Sequence, residues 1–415
     1  MVSITKYKWF HDPDLIHILS LLNKGKEKSC IVGGSIRNSV MNLSVQDIDI
    51  ATTILPNIVI KIFSNTNYKV IPTGIAHGTV KVVYRKKCFD ITTLRSDLIT
   101  DGRYARVIFT RDWKADSLRR DFTINALYAD QYGNIIDYVG GLNDISNNKI
   151  KFIGNADNRI AEDYLRILRF FRFFACYGKN NNIDPDGLEA SINAKKGLKI
   201  LSSERIWSEI KKILEAKNPF DAIVHMYNGE IFKEIFLDVQ ENSIDHLSKV
   251  IEVEKIFEFN VDPLLRFIVL ISLQDKDSIL SIAKKLKLSR EERYFLISFI
   301  SFNFYNEVPS TKEIKQLFYL YGKRVILAKL KLFLAISYKR ISDKNIHYIL
   351  QMLSDIVYWE KPLFPLRGDD VLRYGIPQGK NLGNILFRCK QEWINSSFQL
   401  SREDLLCFLQ QLISS

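Results

Sequence analysis

Cys30-Ile31-Val32-Gly33-Gly34-Ser35-Ile36-Arg37, followed by Asp47-Ile48-Asp49-Ile50-Ala51-Thr52, is the stretch on which the reading of the fold turns. Ser29 to Val32 is short and apolar, as a strand is. Gly33-Gly34 breaks it, and Ser35 to Met41 then starts a helix. A strand–glycine turn–helix unit brings backbone N–H groups close to a bound anion, as phosphate sites do. Asp47 to Ala51 alternates strictly. In a strand, Ile48 and Ile50 take one face and Asp47 and Asp49 the other. Two carboxylates so close repel unless neutralised. Mg²⁺ favours carboxylates plus substrate phosphates, and two such ions hold both oxygens of an in-line displacement. An isolated Asp-x-Asp is more often a solvated strand face. The Gly-Gly turn just upstream shifts the balance toward nucleotidyl transfer.

At 415 residues the chain suits two to four domains, and 47% hydrophobic residues are enough for real cores. A net charge of +12 points to a polyanionic partner, nucleic acid or an acidic membrane surface; charge kept for solubility alone is the plain alternative. The lysines are dispersed, so a folded basic surface is expected rather than a basic arm. Five scattered cysteines without Cys-x-x-Cys spacing suit a reducing compartment and exclude a disulfide framework. The start of the chain lacks a signal-peptide core, and the apolar run near Leu264 to Leu273 is too short to span a bilayer. A soluble cytoplasmic protein is expected. No histidine cluster suggests a His-based hydrolase.

The remainder sorts into two compositions, giving an α+β chain: a mixed-sheet head to about Ile150, then helices. In the head, a helix is expected around Leu15 to Leu22 and another over Pro56 to Ser64. Tyr68 to Ile71, Thr79 to Tyr84 and Lys87 to Thr92 read as strands around a Gly74–Gly78 loop, and Asn134 to Gly141 as turn and strand. In Cys88-Phe89-Asp90-Ile91-Thr92, Asp90 takes the face opposite the core. It is a third carboxylate, either base or extra ligand, or else a solvated strand residue. Leu94 to Phe109 is polar and irregular and carries Arg95, Asp101, Gly102 and Arg103. It suits a mobile flap, or an ordinary surface loop.

Arg119-Arg120-Asp121 with Asn125 offers guanidinium forks for phosphate and polar groups for ribose, or simply a salt-bridged helix. Ala161 to Phe173 reads as one helix on which Asp163, Arg166 and Arg169 share an arc, with Arg172 moved off it. An Asp and an Arg so placed are able to read a base edge; an intrahelical ion pair is the alternative. Arg172 suits a phosphate or a neighbouring carboxylate. Ser203 to about Leu214 reads as a capped helix, and Pro219, Pro263 and Pro309 punctuate the helical array. Basic segments such as Lys284-Lys285-Leu286-Lys287 suit an RNA backbone or a solvated face.

Taken in order, Gly33-Gly34-Ser35-Ile36-Arg37, Asp47-Ile48-Asp49, Arg119-Arg120-Asp121-Phe122-Thr123-Ile124-Asn125-Ala126 and Glu162-Asp163-Tyr164-Leu165-Arg166 resemble the class II CCA-adding tRNA nucleotidyltransferases. The likeness covers the first 215 residues closely and Leu366 to Leu386 more loosely. It implies a polymerase-beta-like nucleotidyltransferase head (1–150), a helical nucleotide-selecting neck (151–215), a helical body (216–360) and a tRNA-binding tail (361–415). It implies that Gly34 and Arg37 hold the triphosphate and that Asp47 and Asp49 hold Mg²⁺; the residues themselves add Gly33 to the phosphate turn and Asp90 to the catalytic candidates. Arg119, Arg120 and Asp121 would serve phosphate and ribose, with Asn125 a further candidate from its place in the stretch. Asp163 and Arg166 would select CTP and then ATP, supported by Arg169 and Arg172. Arg95, Asp101 and Arg103 would belong to a flexible loop. The implied partners are tRNA, CTP and ATP, with no membrane and no obligate protein partner.

Two positions depart from the family pattern: Asn38 stands where an Asp is usual and Asn42 where a Gly is usual. Rival readings are a poly(A) polymerase on the same head, an enzyme adding only A or only CC, and an inactive tRNA-binding protein.

Overall fold

Strands Ser29–Val32 (β1), Ile48–Thr52 (β2) and Lys87–Thr93 (β5) are the centre of a seven-stranded mixed sheet in the order β3-β4-β5-β2-β1-β8-β9. The others are Lys69–Gly74 (β3), Thr79–Tyr84 (β4), Leu127–Ala129 (β8) and Ile135–Asp137 (β9). Among the described residues, only β2 and β5 pair in parallel. The computed structural model describes residues 2–64, 66–85, 87–97, 107–179, 182–235, 237–271, 275–304 and 308–414. The chain divides into two units, Met1–Leu237 and Asp238–Ser415.

Alternation in the central strands sorts the two faces. Ile31, Ile50, Ile91 and Val80 lie in one registered row and are fully buried. The adjacent row runs Lys81, Asp90, Asp49, Val32, Tyr128 and Ile136 across six strands. A shift of one residue would exchange these faces, so burying the isoleucine row commits the aspartate row to the opposite side of the sheet.

The helices of this unit are Pro13–Leu22 (α1), Gly34–Val40 (α2), Pro56–Ser64 (α3), Trp113–Leu118 (α4), Gly141–Ser146 (α5), Ala156–Glu162 (α6), Leu165–Tyr177 (α7), Pro185–Asn193 (α8), Ser203–Glu215 (α9), Phe220–Asn228 (α10) and Ile231–Glu234 (α11). Helix α7 docks through aromatic rings. Phe122 lies 4.7 Å from Phe152 and 5.1 Å from Phe173, and Phe152 lies 5.4 Å from Phe170.

Several expectations change. Leu94 to Phe109 is not wholly irregular: Arg95–Asp97 (β6) and Val107–Phe109 (β7) pair as an antiparallel ribbon. Arg-Ser-Asp lacks the apolar alternation that betrays a half-buried strand, so its pattern gives no strand signal. Asp101 and Arg103 lie outside the described residues. Asp47 precedes β2 rather than opening it. The single helix expected over Ala161 to Phe173 is two, α6 and α7, broken at Asp163 and Tyr164. Asp163 Oδ1 accepts a hydrogen bond from Leu165 N at 3.1 Å, so a short acid that caps helices ends one and begins the next. The Ser202 side chain makes no cap bond to α9. The very short β8, buried at all three positions, has no sequence signal of its own.

Among its described residues, the second unit is built from ten α-helices, Glu241–Ile256 to Arg402–Ser414. Pro263 opens one of them behind an Asp262 cap. Among the described residues, no helix is long and apolar enough to cross a membrane.

Candidate active site

The glycine turn comes first. Gly33 has φ +79°, in the region that favours glycine, and a Cβ on Gly34 would stand 3.4 Å from Arg37 Nη2. The turn thus lets the Arg37 guanidinium lie against its own helix. Arg37 is buried, and every acceptor the structure gives it is neutral. Asn38 Oδ1 accepts from Nε at 3.1 Å and Nη2 at 2.9 Å, Tyr177 Oη accepts from Nη2 at 2.7 Å, and Asn125 Oδ1 accepts from Nη1. Burial pulls its pKa down without a bonded carboxylate to oppose it. Asn38 also donates Nδ2 to Ser44 O at 2.9 Å. Asn42 sits at φ +55° just past α2, a conformation that Asn tolerates nearly as well as Gly.

The acids come next. Asp49 stands opposite Asp90 in register, and Lys81 reaches Asp90 at 3.1 Å. The Asp49 side chain opens to solvent, yet its carboxyl is raised above the ordinary range. Partial desolvation is the largest cause, followed by repulsion from Asp90 and, behind the opposing Arg120, from Asp47. The structure therefore sets Asp49 beside Asp90 in register, with Asp47 and Arg120 near enough to act on the Asp49 charge. Among the described residues, no group of three or more metal-ligating side chains forms. Two mutually repelling carboxylates, one of them open to solvent, nevertheless fit a hard divalent cation.

Arg119 and Arg120 are gripped by Asp116, which sequence reading passed over. Asp116 is fully buried. It accepts from Arg119 Nη2 at 2.6 Å, Arg120 Nη2 at 3.0 Å, Tyr128 Oη at 2.7 Å and Arg95 N at 3.2 Å. Burial alone would raise its carboxyl; the two guanidinia and the phenol overcome this and lower it. Arg119 Nε returns a bond to Arg95 O at 3.0 Å, and Arg95 Nη1 donates to His77 O. The root of the β6–β7 ribbon is thus tied to the arginine pair. The separations of three and four residues in Asp116-Ser117-Leu118-Arg119-Arg120 were the signal that could have found it.

Asp121 accepts from Arg169 Nε at 2.8 Å and from Asn125 Nδ2 at 3.3 Å. Burial opposes its ionisation, but Arg169 prevails and keeps the carboxyl below the usual range. Asp163 and Arg166 do not pair with each other. Asp163 Oδ2 accepts from Arg205 Nη2 at 2.7 Å, while Arg166 Nη1 bonds Glu162 and, at 2.6 Å, Arg159 O. Arg172 Nε lies 2.9 Å from Glu209 Oε2, the carboxylate partner expected as one of two choices. Arg205, Glu209 and Tyr177 carried no sequence signal, because their partners lie far off in the chain, whereas Glu162 pairs locally with Arg159 and Arg166.

Fold and site define a nucleotidyltransferase. Residues 29–151 match the model of the poly A polymerase head domain, and residues 182–242 match that of the probable RNA and SrmB-binding site of polymerase A. The chain is 32% identical over 403 residues to the human CCA tRNA nucleotidyltransferase 1, mitochondrial, covering 95% of this chain and 89% of that protein. It is 36% identical over 274 residues to the CCA-adding enzyme of Staphylococcus epidermidis, covering 65% and 64%. The chain belongs to the CCA tRNA nucleotidyltransferase family. The fold is shared with the Bacillus stearothermophilus CCA-adding enzyme solved with CTP, at TM-score 0.75, 22% identity and 96% of each chain.

Proposed function

We propose that the protein adds C, C and A in turn to the 3′ end of tRNA, using CTP and ATP and releasing pyrophosphate. The observation that carries this reading is Asp49 opposite Asp90 in register, with Asp47 and Arg120 both acting on the Asp49 charge. Likeness to the human enzyme along nearly its whole length supports full CCA addition over a partial activity.

A divalent cation, Mg²⁺ by the oxygen donor set, would be held by Asp47 and Asp49, offsetting charge at the α-phosphate and acidifying the tRNA 3′-hydroxyl. Arg37, its charge faced only by neutral acceptors, draws the triphosphate to the glycine turn. Arg119 and Arg120, fixed by Asp116, hold phosphate and ribose without reorganising. Asp163 accepts from the exocyclic amino group that C and A share, and Arg166 donates to the adjacent ring nitrogen. Catalysis is mostly positioning and charge neutralisation.

Residues 1–150 act as head, 151–215 as neck, 216–360 as body and 361–415 as tail, the last three holding tRNA. Five free cysteines favour work in a reducing compartment, the cytoplasm in this reading. The test is incubation with tRNAs ending before C, before CC and before A, with each nucleotide and Mg²⁺, reading product lengths. Stepwise CTP- and ATP-dependent extension is expected. Homopolymer tails, or no extension, overturn the reading.

A further inference from the structure

Tyr177, the last residue of α7, touches none of the acids and belongs to none of the sequence stretches that pointed to the site. Its hydroxyl nonetheless accepts from Arg37 Nη2 at 2.7 Å, and the Arg37 guanidinium carbon lies 4.1 Å from its ring centre. From Arg37 the bonding continues to Asn125, from Asn125 Nδ2 to Asp121 at 3.3 Å, and from Arg169 Nε to Asp121 at 2.8 Å. Arg169 is again on α7, so the circuit leaves that helix at one residue and returns at another two turns away. Tyr177 also stacks on Phe173 at 5.9 Å, which carries Arg172 4.4 Å from its ring centre.

We propose that Tyr177 is a positioning residue that orients Arg37 toward the incoming triphosphate and links the glycine turn to the helix that carries Arg166 and Arg169. Arg37 has no carboxylate among its bonded partners, so neutral groups alone hold its plane. Tyr177 is the one of them that lies outside the head. Losing it leaves the guanidinium buried and charged, bonded to Asn38 and Asn125 but without its anchor on α7. This inference rests on the nucleotidyl-transfer reading of the same site.

The test compares Tyr177→Phe, which keeps the ring and loses the hydroxyl, with Tyr177→Leu, which loses both. Removing one such bond predicts a KM for CTP and for ATP raised about three- to tenfold in Tyr177→Phe, with kcat lowered less than about twofold. Tyr177→Leu should raise KM further. A merely structural role would lower the melting temperature and the active fraction, moving kcat while leaving KM in place. That outcome, or an unchanged KM in both variants, overturns the proposal. Equilibrium binding of CTP with Mg²⁺ separates the two readings. If the unsubstituted protein binds CTP without extending tRNA, the function assignment falls, and the ratio of dissociation constants still decides the role of Tyr177. If it binds no nucleotide, both fall.

Discussion

Asp49 of β2 and Asp90 of β5 stand directly opposite one another across the parallel pair, and Lys81 holds Asp90 by an ion pair at 3.1 Å. The two acids therefore face different demands. Lys81 bonds Asp90, whereas Asp49 is raised by desolvation, Asp90 and Asp47, which Arg120 and Lys81 only partly offset. Asp49→Ala is expected to lower kcat for extension about a thousandfold or more. Affinity for tRNA, measured by filter binding, should stay essentially as it was. Extension at the unsubstituted rate would remove Asp49 from the catalytic centre.

Asn38 makes a second, less obvious demand. Its amide oxygen faces Arg37 and its amide nitrogen faces Ser44 O, and only an amide satisfies both. Asn38→Asp would neutralise Arg37 and set a carboxylate oxygen against a carbonyl, at about 1 kcal/mol for a partly exposed pair. We expect nucleotide KM to rise about threefold to tenfold, with a fall of a few degrees in the thermal melt. A KM at or below that of the unsubstituted chain would show that the Arg37 charge is not what the triphosphate meets.

The difference between what the sequence announced and what it hid is one of range. The sides taken by Asp49 and Asp90 and the core faces of β2 and β5 were legible because alternation with period two states which side a residue takes, whereas Asp47 falls just outside the strand. Asn42 was legible as a departure, and its φ of +55° shows why Asn suffices there. The partners were not legible. Nothing in the letters around Asp163 announces Arg205, or around Arg172 announces Glu209, because tertiary packing of α7 on α9 chooses them. The break between α6 and α7 was missed for a related reason. An Asp in a helical pattern serves equally as a surface residue and as a cap, and only the Leu165 N–H bond decides.

That break changes how base selection is expected to fail. Asp163 is not fixed by a rigid helix interior; Arg205 and the cap bond fix it. Arg166→Ala should relax preference for CTP and ATP over UTP and GTP by about ten- to a hundredfold in kcat/KM before extension is lost. Arg205→Ala should reproduce part of the same relaxation by freeing Asp163, although Arg205 itself reads no base. Competition assays with all four nucleotides would measure both. Discrimination unchanged in Arg166→Ala would refute selection by this residue.

The second unit offers a prediction of stability alone. Lys329 is buried, donates to Asn303 Oδ1 at 2.6 Å, and lies 4.3 Å from the Phe299 ring centre. Bond and ring favour the ammonium, but burial dominates and brings its pKa from 10.5 down to about 8. Below about pH 8 the folded and unfolded chains both carry the proton, and the folded one bears the full cost of burying it. Between about 8 and 10.5 the folded lysine releases its proton while the unfolded one keeps it, so this group makes stability rise with pH. Lys329→Met removes that contribution. The variant should be at least as stable as the unsubstituted protein at about pH 7.5, and its advantage should shrink by about 2 kcal/mol by about pH 10. Urea melts of both proteins at the two pH values, compared as a difference so that other titrating groups cancel, measure the effect. Parallel stability profiles would show that Lys329 keeps its ordinary pKa in the fold.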